Sequence, residues 1–221
     1  LEVVIRSTAE AQTHVTVVRL HANVGLARAL NEGLRYCESE FVFRCDADDT
    51  NMPERFASQL SEALHRKCDI FGAQIVEVDP VTADERRKLV PITHREISKY
   101  ARLRNPINHM TVMFRRSVVL DMGGYPNVMY KEDYALWLKA LLRGCRLGNS
   151  SALLVRATAG DSMISRRQNS ASVKSEWNLM KYRAVDLGAG YLFVFPKFLL
   201  RIAVLLLPKR LLKKIYSYLR S

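Results

Sequence analysis

Residues 41–49 read Phe-Val-Phe-Arg-Cys-Asp-Ala-Asp-Asp, a short apolar run that stops abruptly at a cluster of carboxylates. An apolar strand fits inside a core, whereas three aspartates in four positions do not, so the chain must leave the core within one or two residues of Phe43. In an open sheet covered by helices, ligand sites lie in the crevice beyond the carboxyl ends of the strands. The run therefore predicts a layered α/β domain with an acidic turn at a strand end.

The flanking sequence agrees. Val15 to Leu20 is a β-branched run suited to a buried strand, and Asn23-Val24-Gly25 turns into a helical stretch whose inner face is Leu26, Ala29, Leu30, Gly33 and Leu34. After the acidic turn, Pro53 sits where a first-turn proline is tolerated, and Phe56, Leu60 and Leu64 form the next apolar stripe. Ile70 to Val78 reads as a strand, Asp79 to Lys88 as a solvated excursion, and His94 to Arg102 as a polar helix. A short strand at Met110 to Phe114 and a helical turn at Ser117 to Met122 lead to the breaker Gly123-Gly124-Tyr125-Pro126. Glu132-Asp133 then opens a helix rich in Leu, Trp and Ala that runs to Gly144. Strand and helix alternate, which favours a largely parallel central sheet.

With 221 residues and 48% hydrophobic content, the chain can bury a sizeable core, which excludes a disordered or fibrous protein. Its net charge of +12 is concentrated. Residues 191–221 carry seven basic side chains (Lys197, Arg201, Lys209, Arg210, Lys213, Lys214, Arg220) and no acidic one. Leu192 to Leu207 is too interrupted by Pro196, Lys197 and Arg201 for a spanning helix. Lys209 to Arg220 alternates basic and apolar residues as a helix lying on an anionic membrane does, and a helix packed on the domain or a partner is the alternative. No nucleic-acid-binding module accompanies the charge. Cys37, Cys45, Cys68 and Cys145 lack metal-site spacing and read as reduced core residues of a cytoplasmic protein.

Asp46 and Asp48, one residue apart at a strand end, have the spacing to share a hard divalent cation, Mg²⁺ or Mn²⁺ rather than zinc, because the surrounding donors are oxygens. Two other readings stand beside this one. An acidic turn also caps a helix. Asp46-Ala47-Asp48-Asp49-Thr50 also fits the Asp-x-Asp-x-Thr nucleophile motif of haloacid-dehalogenase-like phosphatases. The pair Glu132-Asp133 likewise suits either a favourable meeting with a helix dipole or a chemical role.

Four blocks in order carry a resemblance: NVGLARALNEGL, FVFRCDADDTNMPERFASQ, NPINHMTVMFRRSVVLDMGGYP and KEDYALWLKALLRG. They resemble bacterial family 2 glycosyltransferases of exopolysaccharide and O-antigen assembly, nearest the amylovoran-type branch, over roughly Val15 to Asn149. The resemblance implies a GT-A (Rossmann-like nucleotide-diphospho-sugar transferase) fold and an inverting single displacement from a nucleotide-sugar donor, most commonly a UDP-sugar. It assigns Asp46 and Asp48 to metal and diphosphate, Asp49 to the donor sugar, Asp133 to the catalytic base and Glu132 to its support. Asn23 and Gly25 fall on the donor-side turn, Arg28 replaces an arginine that many relatives carry where Leu30 stands, and His109 lies on the acceptor-side loop. A lipid-linked or polysaccharide acceptor at the inner face of the plasma membrane is implied, with residues 1–190 as the transferase domain and 191–221 as an amphipathic membrane-associating tail. Relatives begin with strands that bind the nucleotide base, and none precede Leu1, so the expected fold is an N-terminally truncated GT-A domain that lacks its first strands and folds marginally, with an inactive remnant of such an enzyme as the competing expectation for its function.

Overall fold

The structure is a computed structural model, and it describes residues 15–158, 170–188 and 190–205. In chain order the elements are α1 (Leu26–Arg35), β1 (Phe41–Phe43), β2 (Thr50–Asn51), α2 (Arg55–His65), β3 (Ile70–Val78), β4 (Glu85–Lys88) and α3 (His94–Tyr100). A 3₁₀ turn (His109–Thr111) then precedes β5 (Met113–Arg115), α4 (Arg116–Asp121), α5 (Glu132–Leu142) and β6 (Leu147–Thr158). The last elements are α6 (Ser170–Lys181), a π-helical turn (Tyr182–Asp186) and α7 (Tyr191–Leu205).

One sheet has the order β1-β5-β3-β6-β2, with β4 paired to β3. Side chains of a strand alternate between faces, and β3 and β5 use both. Ile70 and Phe114 point into a core with Ala27, Leu34, Ile97, Leu136 and Trp137, whereas Phe71 and Met113 point to the opposite side with Ala63 and Cys68. Helices α1, α4 and α5 thus cover one face and α2 the other. The sheet is buried on both sides, as the alternation predicts.

Several expectations need correction. Of the described strand pairs only β3–β6 is parallel; β1–β5, β3–β5, β3–β4 and β2–β6 are antiparallel. β1, β3 and β6 do share one direction, but β5 is inserted between β1 and β3 in the opposite sense. Val15 to Leu20 forms no strand and is largely exposed, with Val17 at 49%, because no described strand pairs with it. Leu26 is also exposed, and α1 packs through Ala27, Leu30 and Leu34. The expected α2 stripe holds only in part: Leu60 packs on the core and Phe56 meets Phe43 edge-on, but Phe56 and Leu64 are exposed, while Arg55, Gln59 and Ala63 are buried. The excursion after β3 includes β4, and the unanticipated β6 is the longest strand, at 12 residues. Cys45 is exposed rather than a core residue.

Polar burial on α2 has a reason. Gln59 Nε2 donates to the carbonyls of Phe71 (2.9 Å) and Thr111 (2.7 Å), and Arg55 Nη2 donates to the carbonyl of Arg44 (2.7 Å). These buried side chains bond to backbone carbonyls of β3, of the 3₁₀ turn and of the residue after β1, and an unmet buried polar group is costly. Helix α2 is therefore attached to the acidic turn by hydrogen bonds more than by apolar contact.

Helix α7 packs on α6 and the π turn through Val194 and Phe198, against Met180 and Ala184. Among the described residues, no helix is long and apolar enough to cross a membrane. The basic helix expected at Lys209 to Arg220 lies outside the described residues.

Candidate functional site

The acidic turn leaves β1 as expected. Asp49 N donates to Asp46 O at 3.2 Å, which curls the backbone and directs three carboxylates outward. Asp46, Asp48 and Asp49 each bring an oxygen within 4.8 Å of the others. Strand β6 holds the far side of the turn: Thr158 N donates to Asp49 Oδ1 (3.0 Å) and Thr158 Oγ1 to Asp48 O (2.6 Å). Burial holds the Asp49 carboxyl above the usual range, and Asp46 and Asp48 add to that against the opposing Thr158 bond. The turn thus concentrates negative charge that a cation would relieve.

Arg44 supplies a partial internal counter-charge. Its guanidinium meets Asp46 two-fold, Nη2 to Oδ1 at 2.5 Å and Nη1 to Oδ2 at 3.1 Å, in the fork geometry that suits carboxylates. Beneath it, the fully buried Arg55 also donates to Cys45 Sγ at 3.5 Å and to Asn51 Oδ1. The Cys45 thiol is thereby engaged by Arg55, which leaves carboxylate oxygens as the donors at the mouth of the turn.

The second acidic group opens α5. Glu132 is 7% exposed, and burial, then Asp133, hold its carboxyl above the usual value. Asp133 is partly buried, and both of its oxygens are engaged: Oδ1 accepts from Tyr134 N (2.7 Å) and Oδ2 from Asn105 Nδ2 (2.5 Å). A carboxylate held at both oxygens keeps one orientation while retaining lone pairs for a further proton.

Tyr125 lies buried against His109, within the field of both acidic groups. Burial raises the Tyr125 phenol far above its ordinary value, and the charges acting on it are Arg44, Asp133, Glu132 and Asp46. Asp46 of the turn and the acids of α5 thus all act electrostatically on one phenol. Its oxygen lies 3.2 Å from His109 Nε2, and the imidazole also touches Trp137, with ring centroids 6.0 Å apart. Asn31 of α1 clasps the backbone of Tyr125, donating to O (2.9 Å) and accepting from N (2.7 Å). The preceding Gly124 has φ +77°, and a Cβ there would collide with that amide, so glycine is required twice over.

Burial pushes His109 down to about 4; Asp133 opposes this and Arg44 reinforces it. The unfolded chain therefore takes up a proton between pH ~6.5 and ~4 that the native imidazole refuses, so stability is full above the unfolded value and falls as pH drops through that window. At about 1.4 kcal/mol per pKa unit the loss reaches ~3 kcal/mol. Urea unfolding of wild type and His109→Gln at pH 7 and pH 5 should show a smaller pH effect in the variant; equal pH effects would remove His109 as its source.

Other anticipated residues are placed less centrally. Asn23 Oδ1 accepts from Gly25 N at 3.1 Å, making the turn into α1, where Gly25 has φ 81°. Arg28 is exposed on α1, and no described contact joins Asn23, Gly25 or Arg28 to the acidic turn. Reading the sequence missed Arg44, Arg55, Asn31, Asn105, Tyr125 and Thr158. All of these but Thr158 stood inside the quoted blocks, yet nothing local to them announces the partners they meet.

An α/β sheet with an acidic turn beyond one strand end and an acid-opened helix beside it is the architecture of GT-A nucleotide-sugar transferases. The chain belongs to glycosyl transferase family 2, whose model matches residues 2–122. That match starts well ahead of Val15, includes the acidic turn and His109, removes the phosphatase reading, and stops short of Glu132. The chain is 40% identical over 218 residues to an uncharacterized glycosyltransferase of Haemophilus influenzae, covering 96% of this chain and 80% of that protein. It is 34% identical over 204 residues to the amylovoran biosynthesis glycosyltransferase AmsE of Erwinia amylovora (92% and 76%). It is 38% identical over 139 residues to the UDP-Gal:alpha-D-GlcNAc-diphosphoundecaprenol beta-1,3-galactosyltransferase of Escherichia coli (62% and 50%). Among solved structures, the mannosyltransferase PcManGT of Pyrobaculum calidifontis, in complex with GDP-Man and Mn²⁺, superposes with a TM-score of 0.58 at 16% identity. That likeness covers 99% of this chain and 67% of that one, and it speaks for the fold alone.

Proposed function

We propose that the chain moves a sugar, with inversion, from a nucleoside-diphosphate donor, a UDP-hexose first among candidates, to a lipid-linked or polysaccharide acceptor in bacterial surface polysaccharide assembly. The supporting observation is a pair of acidic groups in a chain of glycosyl transferase family 2: the Asp46, Asp48 and Asp49 oxygens within 4.8 Å of one another, and the Asp133 carboxylate held by Tyr134 N and Asn105. Two separate carboxylate groups, one at the turn and one opening α5, suit a displacement in which one side holds the leaving group and the other takes a proton.

In this reading Asp133 removes the proton of the acceptor hydroxyl as that oxygen attacks the anomeric carbon. Asn105 fixes the carboxylate for this, and the buried Glu132 supports it. Asp46 and Asp48 would hold Mg²⁺ or Mn²⁺, and Asp49 would approach the donor sugar. The fit rests on an all-oxygen donor set within 4.8 Å and on the raised Asp49 carboxyl. Such a cation supplies charge neutralisation for a departing diphosphate, so no separate general acid is required. Asn23, Gly25 and Arg28 are assigned to the donor side. His109, neutral at pH 7, is assigned to the acceptor side, where it braces Tyr125.

The same proposal places the protein on the cytoplasmic face of the plasma membrane, attached peripherally through residues 191–221, with 1–190 as the transferase domain. The outward side of α7 supports this, since Leu192, Leu199 and Leu200 are 82%, 51% and 60% exposed. Release of UDP from a panel of UDP-hexoses, measured with Mn²⁺ and a lipid-diphosphate-linked GlcNAc acceptor, tests the function. Acceptor-dependent release suppressed by EDTA is expected; release of phosphate from simple esters with none from UDP-hexoses would contradict it.

Asn105→Ala should lower kcat about ten-fold or more with little change in donor KM, since a freed carboxylate spends less time in the reacting orientation. Asn105→Asp sets a like charge against Asp133 and should move the acidic limb of the kcat–pH profile upward. An unmoved limb in that variant would deny the contact a part in orienting the base.

A further inference from the structure

The loop from Ala101 to Asn105 is held by side chains from three elements. Tyr134 of α5 donates to Ala101 O at 2.7 Å, Arg183 of the π turn to Arg102 O at 3.1 Å, and Arg201 of α7 to Leu103 O at 2.8 Å. Asn105 then reaches Asp133. The C-terminal helices and the proposed base are therefore tied to one stretch of five residues. Arg102 and Asn105 are three residues apart, so their backbones lie within ~10 Å of each other even if fully extended.

A groove between α6 and α7 opens beside this loop, lined by Arg183, Lys197 and Arg201 together with apolar Leu179, Val194 and Phe198. Its charge is not balanced. The carboxylate in its wall, Glu176, is 5% exposed and is claimed twice, by Lys131 at 2.8 Å and by Arg201 at 2.7 Å. Asp186, the other acid of these elements, forms no ion pair with the groove cations among the described residues. Among the described residues neither Arg102, Arg183 nor Lys197 has an ion pair. Lys197 is held below its usual range by burial first and then by the charges of Arg183 and Arg102, as expected where cations gather without an anion.

The opposite side of α7 is apolar and open. Leu192, Phe195 and Leu199 recur at helical spacing there and are 82%, 43% and 51% exposed, while Val194, Phe198 and Arg201 dock inward. A helix so divided sits with its outer face among acyl chains and its flanking cations at headgroup depth. An anion bound in the groove would lie at that depth, next to the loop that carries Asn105.

We propose that Arg102, Arg183 and Lys197 form the binding site for the diphosphate of a lipid-linked acceptor, at the edge of the groove between α6 and α7. This deepens the transferase reading and rests on it. The geometry would place the first sugar after the diphosphate against Asp133, because the loop joining cations to base is only a few residues long. Guanidinium forks and an ammonium suit phosphate oxygens in charge-assisted hydrogen bonds, and displacement of the mutual repulsion among the three cations adds to affinity.

The test uses the full chain and three probes: inorganic diphosphate, farnesyl diphosphate and vesicles containing phosphatidylglycerol. Calorimetric binding is compared for wild type, Lys197→Glu, Arg183→Ala and, as a control on a remote exposed cation, Arg143→Glu, with melting temperature recorded for each. Farnesyl diphosphate should bind wild type more tightly than inorganic diphosphate does, and should weaken at least ten-fold in Lys197→Glu and Arg183→Ala but not in Arg143→Glu. Unchanged affinity in the two groove variants would overturn the proposal, as would equal weakening in the control. Vesicle binding lost in the groove variants while farnesyl diphosphate binding persists would also overturn it, in favour of a general anionic surface. Binding of UDP with Mn²⁺, measured on the same samples, separates this outcome from failure of the transferase reading itself: UDP bound normally with no diphosphate site rejects the groove alone.

Discussion

An Asp133→Asn protein is expected to lose turnover by a factor of ~10²–10⁴, the usual worth of a positioned general base, while its affinity for donor stays within about two-fold of wild type. The amide keeps the size of the carboxylate, and its oxygen can still accept from Tyr134 N, so the start of α5 should stay folded. What it cannot do is take a proton from an acceptor hydroxyl. Its NH₂ would also confront the Asn105 amide that now donates at 2.5 Å, so part of the loss would be one of orientation. Single-turnover kinetics with donor in excess separates the two effects from binding. Wild-type turnover in this variant would remove Asp133 from the chemistry.

Arg55→Met should destabilise the protein by ~3 kcal/mol or more, the largest effect expected of a residue outside the reacting groups. Arg55 is fully buried and bonded to Arg44 O, Cys45 Sγ, Asn51 and Gln59. Methionine fills much of the volume but leaves these acceptors unmet in a place water does not easily reach, at ~1–3 kcal/mol for each buried group left unsatisfied. Burial already depresses the guanidinium pKa, with Cys45, Asp46 and Asp49 acting to support the charge. Removing that charge beneath the acidic turn should also raise the repulsion among its aspartates. Urea unfolding reads the stability, and cation titration of the folded variant reads the turn. A loss under 1 kcal/mol would show that Arg55 is replaceable packing rather than the anchor of the turn.

What could be read in the sequence was what is local. The apolar run into Asp46-Ala47-Asp48-Asp49, the β-branched strand Ile70–Val78, the two glycines before Tyr125 and the acids opening α5 each announce themselves within a few residues. The rest depends on distant partners. Strand β6 contains the polar run Asn149-Ser150-Ser151 and was not anticipated; Asn149 is buried and donates to Pro91 O and Pro106 O, and Ser150 bonds to Glu62. Polar residues inside a strand are legible only when their acceptors are known. Helix α2 misled in part for the same reason: of the stripe Phe56, Leu60 and Leu64 only Leu60 packs on the core, because Arg55 and Gln59 also occupy the inner side. Strand directions were likewise out of reach, since three residues of β5 carry no sign of the sense in which they insert.

The site divides in the same way. Its carboxylates stood out by type and spacing, whereas Arg44, Asn105 and Tyr125 are ordinary residues made relevant by the fold bringing turn, loop and helix together. Cys45 shows how a residue can be read correctly in one respect and not in another. It is a free thiol, as its spacing implied, yet it lies exposed beside the turn with Arg55 on its sulfur.

The account depends on the acidic turn and the opening of α5 lining a single space. Paramagnetic broadening by Mn²⁺ bound with UDP tests that arrangement without requiring turnover. With the cation held by Asp46 and Asp48, the ring signals of Tyr125 and His109 should broaden strongly, signals of Trp177 on α6 should change less, and Asp46→Asn/Asp48→Asn should abolish the effect. Saturating Mn²⁺ that leaves Tyr125 and His109 sharp, or that broadens them equally in the double variant, would contradict the account.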